Sequence, residues 1–273
     1  MSSRLAAVSL LLLAVPAFAQ PAASTTPAAA TAADDSAAIA PSALKLDVNM
    51  RAWYVAPSGD LQFPGAGRDE LTLESLNADS PRLAPYGQAV LTSDPWMVSL
   101  SGFGFSSERS ATSTFTASVG PLAIAPGDRL TTSLEFQSAQ ALLGYRLFAQ
   151  SAPDWLRLRA LAGLTVHSID ASIASGAVTV QADQLALEVT GGAMVSVNFI
   201  PELDADLWLT AGGGADSLSF DLATAFTYRP LPWLNIHAGY RFMAVNIEDG
   251  SGTQRFRWDG SLAGLFFGLG VRF

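Results

Sequence analysis

Two histidines are the residues best suited to acid–base chemistry in this 273-residue chain. His167 opens the segment His-Ser-Ile-Asp, which ends at Asp170, so a possible base lies beside a hydroxyl and near a carboxylate. Neighbouring residues of a strand point to opposite faces, however. In the strands predicted below, His167 lies far from its short turn and His237 lies close to its own. The sequence therefore predicts no catalytic site and no enzymatic activity.

Charged side chains form a second candidate site, because they share one face of the predicted strands near the short turns. The members of this predicted charge cluster are Arg146, Arg157, Arg159, Asp204, Asp206, Asp47 and Arg272. Three further basic residues share the inward face: Lys45, Arg229 and Arg241. If a hairpin turns near residues 151–152, Arg146 lies directly across from Arg157, and two like charges there need acids to offset them. The cluster is typical of a structural salt-bridge plug, and an anion-selective constriction is the alternative.

Acidic partners for these arginines follow from the same face. We predict that Asp204 and Asp206 reach across to the arginines. Arg272 is predicted to pair with Asp47, at the place where the last strand closes on the first. The sequence contains no set of residues with the spacing of a metal or phosphate site, and no cofactor is predicted.

Composition excludes several classes of site and partner. The chain has no cysteine, which excludes disulfides, thiolate metal ligands and a cysteine nucleophile. Its net charge of −9 argues against nonspecific attraction to nucleic acid. Nothing in the sequence indicates an oligomeric state.

The first 42 residues are predicted to lie outside the folded domain. Residues 1–19 combine a basic start, an apolar stretch and the small-x-small site Ala17-Phe18-Ala19, which together predict a signal peptide. Residues 20–42 are rich in Pro, Ala, Thr and Ser and are predicted to be a disordered leader. The folded domain is predicted to span residues 43–273.

Alternation with a period of two runs through that domain. In LRLRALAGLTVH (156–167), aliphatic residues alternate with a face that holds Arg157, Arg159 and His167. Short proline-containing links alternate with longer polar links at about 57–83, 107–128, 170–183 and 247–256. This pattern predicts an all-β, antiparallel up-and-down barrel of about ten strands, with eight possible. The second and third strands are the least clear, because their alternation is blurred near Tyr86 and switches near Phe103.

The aliphatic face is predicted to contact lipid. It carries no charge within the clearest strands, and a charge on the lipid face at the bilayer centre costs roughly 2–4 kcal/mol. Trp96, Trp155 and Trp233 each follow a short proline-containing turn, where an aromatic girdle would lie. These features predict a transmembrane barrel.

The last strand, LFFGLGVRF, resembles the closing strand of Gram-negative outer-membrane β-barrels, which commonly ends in phenylalanine. The resemblance is to the superfamily of small porin-like and outer-membrane-protein-A-like barrels. It implies a barrel in the outer membrane, in contact with lipid and lipopolysaccharide, with both termini periplasmic. It also implies that Leu269, Val271 and Phe273 form the signal read by the barrel assembly machinery.

Three functions remain open at this point. The first is a non-enzymatic barrel that is structural or forms a narrow passive pore, since about ten strands leave little space inside. The second is surface binding or adhesion by the long loops, in which Phe63 and Phe115 are more typical of packing within the loop than of contact with a partner. A barrel hydrolase is the third and least favoured.

Overall fold

The computed structural model describes residues 44–65, 67–148, 151–153 and 155–273. The predicted signal peptide and leader lie outside the described residues. Ten long strands account for most of this part of the chain. They are β1 (Lys45–Gln62), β4 (Arg82–Ser93), β5 (Trp96–Thr112), β8 (Arg129–Leu147), β9 (Leu156–Ser175), β10 (Val178–Ile200), β11 (Leu203–Gly213), β12 (Ser217–Leu231), β13 (Leu234–Asp249) and β14 (Phe256–Arg272).

The ten long strands form a closed antiparallel barrel. Each pairs with the next long strand along the chain, and β14 returns to pair with β1 from Asp47↔Arg272 to Gln62↔Arg257. Closure leaves no barrel edge unpaired, which a sheet immersed in lipid requires. The prediction of an up-and-down barrel with ten strands, rather than eight, is confirmed.

Four short strands lie in the two longest connections. They are β2 (Gly67–Arg68), β3 (Leu71–Thr72), β6 (Ala117–Gly120) and β7 (Leu122–Ile124). A small separate sheet has the order β2-β6-β7, and β3 pairs with the end of β1. A 3₁₀ turn, Gly252–Gln254, lies between β13 and β14. These connections all lie at the same end of the barrel, which we call the long-loop end. The opposite end, near Lys45 and Arg272, is the short-turn end.

The barrel exterior is apolar. The side chains of Leu185, Val189 and Leu265 are 73%, 72% and 64% exposed, while their strand neighbours Ala186 and Glu188 are buried. Trp96, Trp155 and Trp233 are about half exposed beside the short turns. An exterior of this kind is typical of contact with hydrocarbon rather than water. None of the described helical segments is long and apolar enough to cross a membrane.

The barrel interior differs between its two ends. At the long-loop end, large apolar side chains fill it, among them Trp53, Phe136 and Trp258, each with no exposed surface. Phe63 is buried in this interior core and Phe115 packs against it, so both phenylalanines pack against the barrel core, whereas packing within the loop was predicted. At the short-turn end, the inward side chains are mostly polar and charged.

This change of lining explains the unclear alternation in β5. Met97, Ser99, Phe103 and Phe105 all point inward and are buried, so the inward residues keep one parity along the strand. The predicted switch near Phe103 is wrong. The chemistry of the interior changes at that level from polar to apolar, whereas the register of the strand does not change.

The structure also differs from the prediction at residues 170–183, where a long connection was expected. Here β9 and β10 continue to Ser175 and Val178, and Asp170 pairs with Asp183 in a regular hairpin. The polar residues of this segment lie on strands that extend beyond the apolar exterior. The sequence shows only where the apolar alternation stops, because backbone pairing can continue without it.

Candidate functional site: a basic vestibule

A cavity of about 810 Å³ lies inside the barrel and reaches the short turns. We call it the basic vestibule. Its charged lining consists of Lys45, Arg51, Arg146, Arg157, Arg159, Arg229 and Arg272, with Asp47, Asp94, Asp204 and Asp206. All seven residues of the predicted charge cluster therefore line one cavity. Strand alternation explains this, since Arg157 and Arg159 on β9, for example, have the same parity.

Arg146 has a different cross-strand neighbour from the one predicted. It lies opposite Arg159, and not opposite Arg157, in the β8–β9 register. The connection between these strands is centred later in the chain than residues 151–152, which shifts the pairing by two residues. Arg146 forms its ion pair with Asp94, whose Oδ2 lies 2.9 Å from Arg146 Nη1.

Asp204 pairs with one of the inward-facing arginines. Its carboxylate forms an ion pair with Arg229 of the adjacent strand β12. When the Asn198 amide is oriented by its partners, it donates to Asp204 Oδ1 at 2.9 Å and accepts from Arg157 Nη2 at 3.3 Å. Asp204 therefore contacts Arg229 directly and Arg157 through Asn198. Its predicted contact with the inward-facing arginines is present, with Arg229 as the direct partner.

Asp206 also departs from the predicted pairing. It lies directly opposite Ser196 of the neighbouring strand β10 in the register. Among the described residues, no cation lies within the 4.0 Å ion-pair distance of Asp206. The prediction that Asp206 directly offsets the arginine charges is wrong, because Ser196 lies opposite it in the register.

The ion pair predicted between the last strand and the first, Arg272 with Asp47, is present where β14 pairs with β1, here called the seam of the barrel. Arg272 donates from Nε to Asp47 Oδ1 at 2.8 Å and from Nη2 to Asp47 Oδ2 at 3.1 Å. Asn235 Nδ2 adds a third hydrogen bond to Asp47 Oδ1, at 2.8 Å. Side chains of β14 and β13 thus hold the Asp47 carboxylate, and Arg272 compensates its charge.

His237 lies in the wall of the vestibule. Its Nε2 donates to Asn49 Oδ1 at 2.7 Å, and Thr227 Oγ1 donates to Nδ1 at 3.0 Å. Glycine opposite Asn49 is required here, because a Cβ at Gly270 would lie 1.9 Å from Asn49 Oδ1. Both ring nitrogens are occupied, so this histidine orients its neighbours rather than offering a free base.

Two arginines close the inner end of the vestibule. Arg241 donates from Nε and Nη2 to the two carboxylate oxygens of Asp221, at 3.0 and 2.7 Å. Its guanidinium carbon lies 4.9 Å from the ring centre of Tyr86 and 4.8 Å from that of Phe103. The guanidinium carbon of Arg51 lies 5.2 Å from the ring centres of both Tyr86 and Phe266. The inward direction of Arg241 was predicted from the sequence, whereas the role of Arg51 and the aromatic contacts of both arginines were not. The shared parity of Arg51 and Trp53 was a signal for them.

His167 lies beyond this layer, in the apolar half. Its ring is fully buried and stacks on Phe136, with 5.7 Å between ring centres. His167 Nε2 lies 3.4 Å from Glu188 Oε2, and Ser219 donates a hydrogen bond to the same carboxylate oxygen. The carboxylate therefore lies between the histidine and the hydroxyl. A serine nucleophile needs the histidine in that position, as its base.

An apolar patch forms another part of the vestibule wall. Met97 and Met194 line the cavity and belong to a small buried cluster with Leu142 and Leu161. Val90 and Trp208 also line the cavity and pack against that cluster. The vestibule thus combines excess positive charge with an apolar surface.

Comparisons with known proteins yield structural matches alone. No protein-family model matches the chain, and no curated protein matches it. Similar solved structures include the attachment invasion locus protein Ail of Yersinia pestis (11% identity, TM-score 0.34, covering 84% of this chain and 97% of that one). Neisserial surface protein A matches at 14% identity and TM-score 0.33, with 85% and 99% covered.

A third match is the translocator domain of the autotransporter NalP from Neisseria meningitidis. It has 10% identity and a TM-score of 0.37, and the match covers 88% of this chain and 91% of that one. All three are Gram-negative outer-membrane β-barrels. The fold assignment rests on the strand pairing and the apolar exterior of the chain itself.

Proposed function

We propose that this protein is a non-enzymatic, structural β-barrel of the Gram-negative outer membrane, sealed in its long-loop half. The short turns and both termini face the periplasm, and the long loops face outward. The exterior contacts membrane lipid and lipopolysaccharide. Leu269, Val271 and Phe273 at the end of β14 act as the signal for the barrel assembly machinery.

The filled interior of the long-loop half is the observation that carries the proposal. Trp53, Phe136, Phe256 and Trp258 project into it and are at most 1% exposed. The rings of Phe136 and Trp258 are in contact across the barrel, with 4.8 Å between their centres. Protein interiors packed to this degree have few voids larger than a water molecule. Such packing favours a sealed barrel over a passive pore.

Loop residues add a lid to this packing. Leu71, Leu73 and Leu76 from one long connection are at most 3% exposed, and Leu122 and Ile124 from the other are at most 4% exposed. All five belong to the same hydrophobic cluster as Trp53 and Trp258. The connections therefore extend the core beyond the strands, which favours a rigid cap over a mobile gate.

The non-enzymatic part of the proposal is supported by the environment of the histidines. His167, Glu188 and Ser219 lie in the sealed half, where a substrate has no path to them. His237 is hydrogen-bonded through both ring nitrogens.

Single-channel recording in planar bilayers tests the sealed barrel. We expect the refolded wild-type protein to be electrically silent. Replacing both Phe136 and Trp258 by Ala removes two large side chains from the core, which should create a void and allow intermittent conductance steps. The matched control, Leu265→Ala with Phe267→Ala, removes similar bulk from the exterior and should remain silent. Steady conductance by the wild-type protein would show a pore and contradict the proposal.

Surface binding is the second candidate, and the small β2-β6-β7 sheet favours it. Gly67 and Arg68 of one long connection pair with Gly120 and Val119 of the other. Ser118 N also donates to Asp69 Oδ2 at 2.7 Å. These bonds join the two loops into a single platform, which suits recognition on a rigid scaffold. Replacing the exposed residues of β6 and β7 and measuring adhesion of expressing cells would separate binding from a structural role.

A further inference from the structure

We propose that the basic vestibule binds an amphipathic organic anion, a molecule with a carboxylate or similar anionic group on an apolar body. The anionic group would lie against Arg157 and Arg159, and the apolar body against Met97, Met194 and Trp208. This site goes beyond the structural role proposed above and does not depend on it.

The charges that line the vestibule do not balance. Seven cationic side chains and four carboxylates line it, an excess of three positive charges. The chain as a whole has the opposite sign, with a net charge of −9. Three of the four carboxylates are already engaged, Asp47 by Arg272, Asp94 by Arg146 and Asp204 by Arg229. The excess of cations is therefore local and remains after these pairs form.

The unpaired positive charge lies at Arg157 and Arg159. Within the described part of the chain, neither Arg157 nor Arg159 has a carboxylate within the 4.0 Å ion-pair distance. Arg159 is only 5% exposed, and its Nε has no hydrogen-bond partner. Arg146 lies directly opposite Arg159 on β8 and adds a further positive charge. A buried cation without an anionic partner is unfavourable, and an anion bound here would supply one.

The geometry of arginine suits this role. Arg157 and Arg159 are two residues apart on β9, so both guanidinium groups point into the same part of the cavity. A guanidinium binds carboxylate and similar groups through paired, charge-assisted hydrogen bonds. The two side chains can therefore bind one anionic group from adjacent positions.

The apolar wall adds selectivity for the rest of the ligand. Met97 and Met194 are 2% and 7% exposed, and Trp208 packs against the cluster that they form. Met194 lies opposite Arg159 in the β9–β10 register, so apolar and cationic groups are neighbours. Flexible thioethers and an indole accommodate apolar groups of varied shape. The cavity volume of about 810 Å³ falls in the usual range for small-molecule sites.

Calorimetric titration of the refolded full chain in phosphatidylcholine nanodiscs tests the site. The probe is 4-phenylbutyrate, and its uncharged amide, acetate and inorganic phosphate are compared with it. We expect 4-phenylbutyrate to bind more tightly than the other three, with heat above that of empty nanodiscs. Equal binding of the amide would exclude recognition of the charge, and equal binding of acetate or phosphate would exclude the apolar contact; either result overturns the proposal.

Arginine variants locate the binding. Arg159→Gln and Arg157→Gln should each weaken 4-phenylbutyrate binding roughly tenfold or more, since each removes charge-assisted hydrogen bonds. Arg159→Lys keeps the charge and should bind better than Arg159→Gln. Arg255→Gln removes an arginine at the long-loop end, where it pairs with Glu248, and should leave binding unchanged.

Folding of each variant is checked by its heat-modifiable mobility in detergent gels. If Arg159→Gln fails to fold, Arg157→Gln and Arg159→Lys still measure the site. The proposal is overturned if folded Arg157→Gln binds like the wild type, or if Arg255→Gln loses binding to the same extent.

Discussion

Arg241 shows how a single residue connects the two halves of the interior. It is 4% exposed and lies at the level where the polar vestibule meets the aromatic core. Asp221 binds it through two parallel hydrogen bonds, and three aromatic rings, of Trp53, Tyr86 and Phe103, lie within 5.2 Å of its guanidinium carbon. A planar, permanently charged group can make both kinds of contact at once, which lysine cannot.

We expect Arg241→Leu to destabilise the barrel by about 3–5 kcal/mol, because it leaves the Asp221 carboxylate buried without a cation. The measurement is equilibrium unfolding in denaturant from detergent or lipid. Arg255→Leu, which breaks a half-exposed pair with Glu248, should cost less than about 1 kcal/mol.

The double variant Arg241→Leu with Asp221→Leu provides a further check. Removing both charges should recover part of the stability lost by Arg241→Leu. A double variant no more stable than Arg241→Leu would show that the aromatic contacts, rather than the ion pair, account for the loss.

At the scale of elements, the seam of the barrel depends on the end of β14. Phe273 N donates to Leu46 O at 2.9 Å, and Leu46 N donates to Phe273 O at 3.1 Å. The phenyl ring itself points outward and is 72% exposed. The backbone of Phe273 therefore extends the seam, whereas its side chain contributes little to the packing of the barrel.

We expect Phe273→Ala to separate these two roles. The variant keeps both backbone hydrogen bonds, so refolding of the purified protein into detergent should proceed as for the wild type. In cells, loss of the ring should reduce the folded fraction several-fold if the assembly machinery reads it. Gel mobility of heated and unheated samples measures both. Equal folding in cells would contradict a role for Phe273 as a signal.

The strands could be predicted from sequence wherever one face met lipid and the other lined a polar cavity. In β9, arginines alternate with leucines, and the faces are unmistakable. In β5, Phe103 and Phe105 point inward beside a core as apolar as the lipid, so hydrophobicity no longer distinguishes the faces. The pairing of Arg146 with Arg159 was also missed, because register depends on the geometry of the connection between β8 and β9.

Ion-pair partners were harder to predict than the residues of the charge cluster. Parity placed Asp204 and Asp206 in the same cavity as the arginines, and they lie there. Parity says nothing of which neighbour is nearest. Arg229 on β12 forms the ion pair with Asp204, and Asp206 has Ser196 of β10, not an arginine, opposite it in the register. Strand patterns therefore define the site but not its hydrogen bonds.

At the scale of the whole molecule, the two ends of the barrel have opposite characters. A solvated basic cavity opens at the short turns, and a packed apolar core with folded loops closes the other end. The interior is therefore open at one end and closed at the other. The direction in which this cavity opens decides which compartment supplies a ligand to the vestibule, and the first and last described residues, Leu44 and Phe273, lie at its open end.

Cysteine labelling determines that direction, and the natural absence of cysteine gives a clean background. Ala123→Cys introduces a thiol at an exposed position of β7, and Glu202→Cys introduces one at an exposed short turn. We expect a membrane-impermeant maleimide to label Ala123→Cys on intact Gram-negative cells. Glu202→Cys should react only after the outer membrane is permeabilised, because the proposed orientation places the short turns in the periplasm. The reverse pattern would place the vestibule mouth at the cell surface and overturn the proposed orientation.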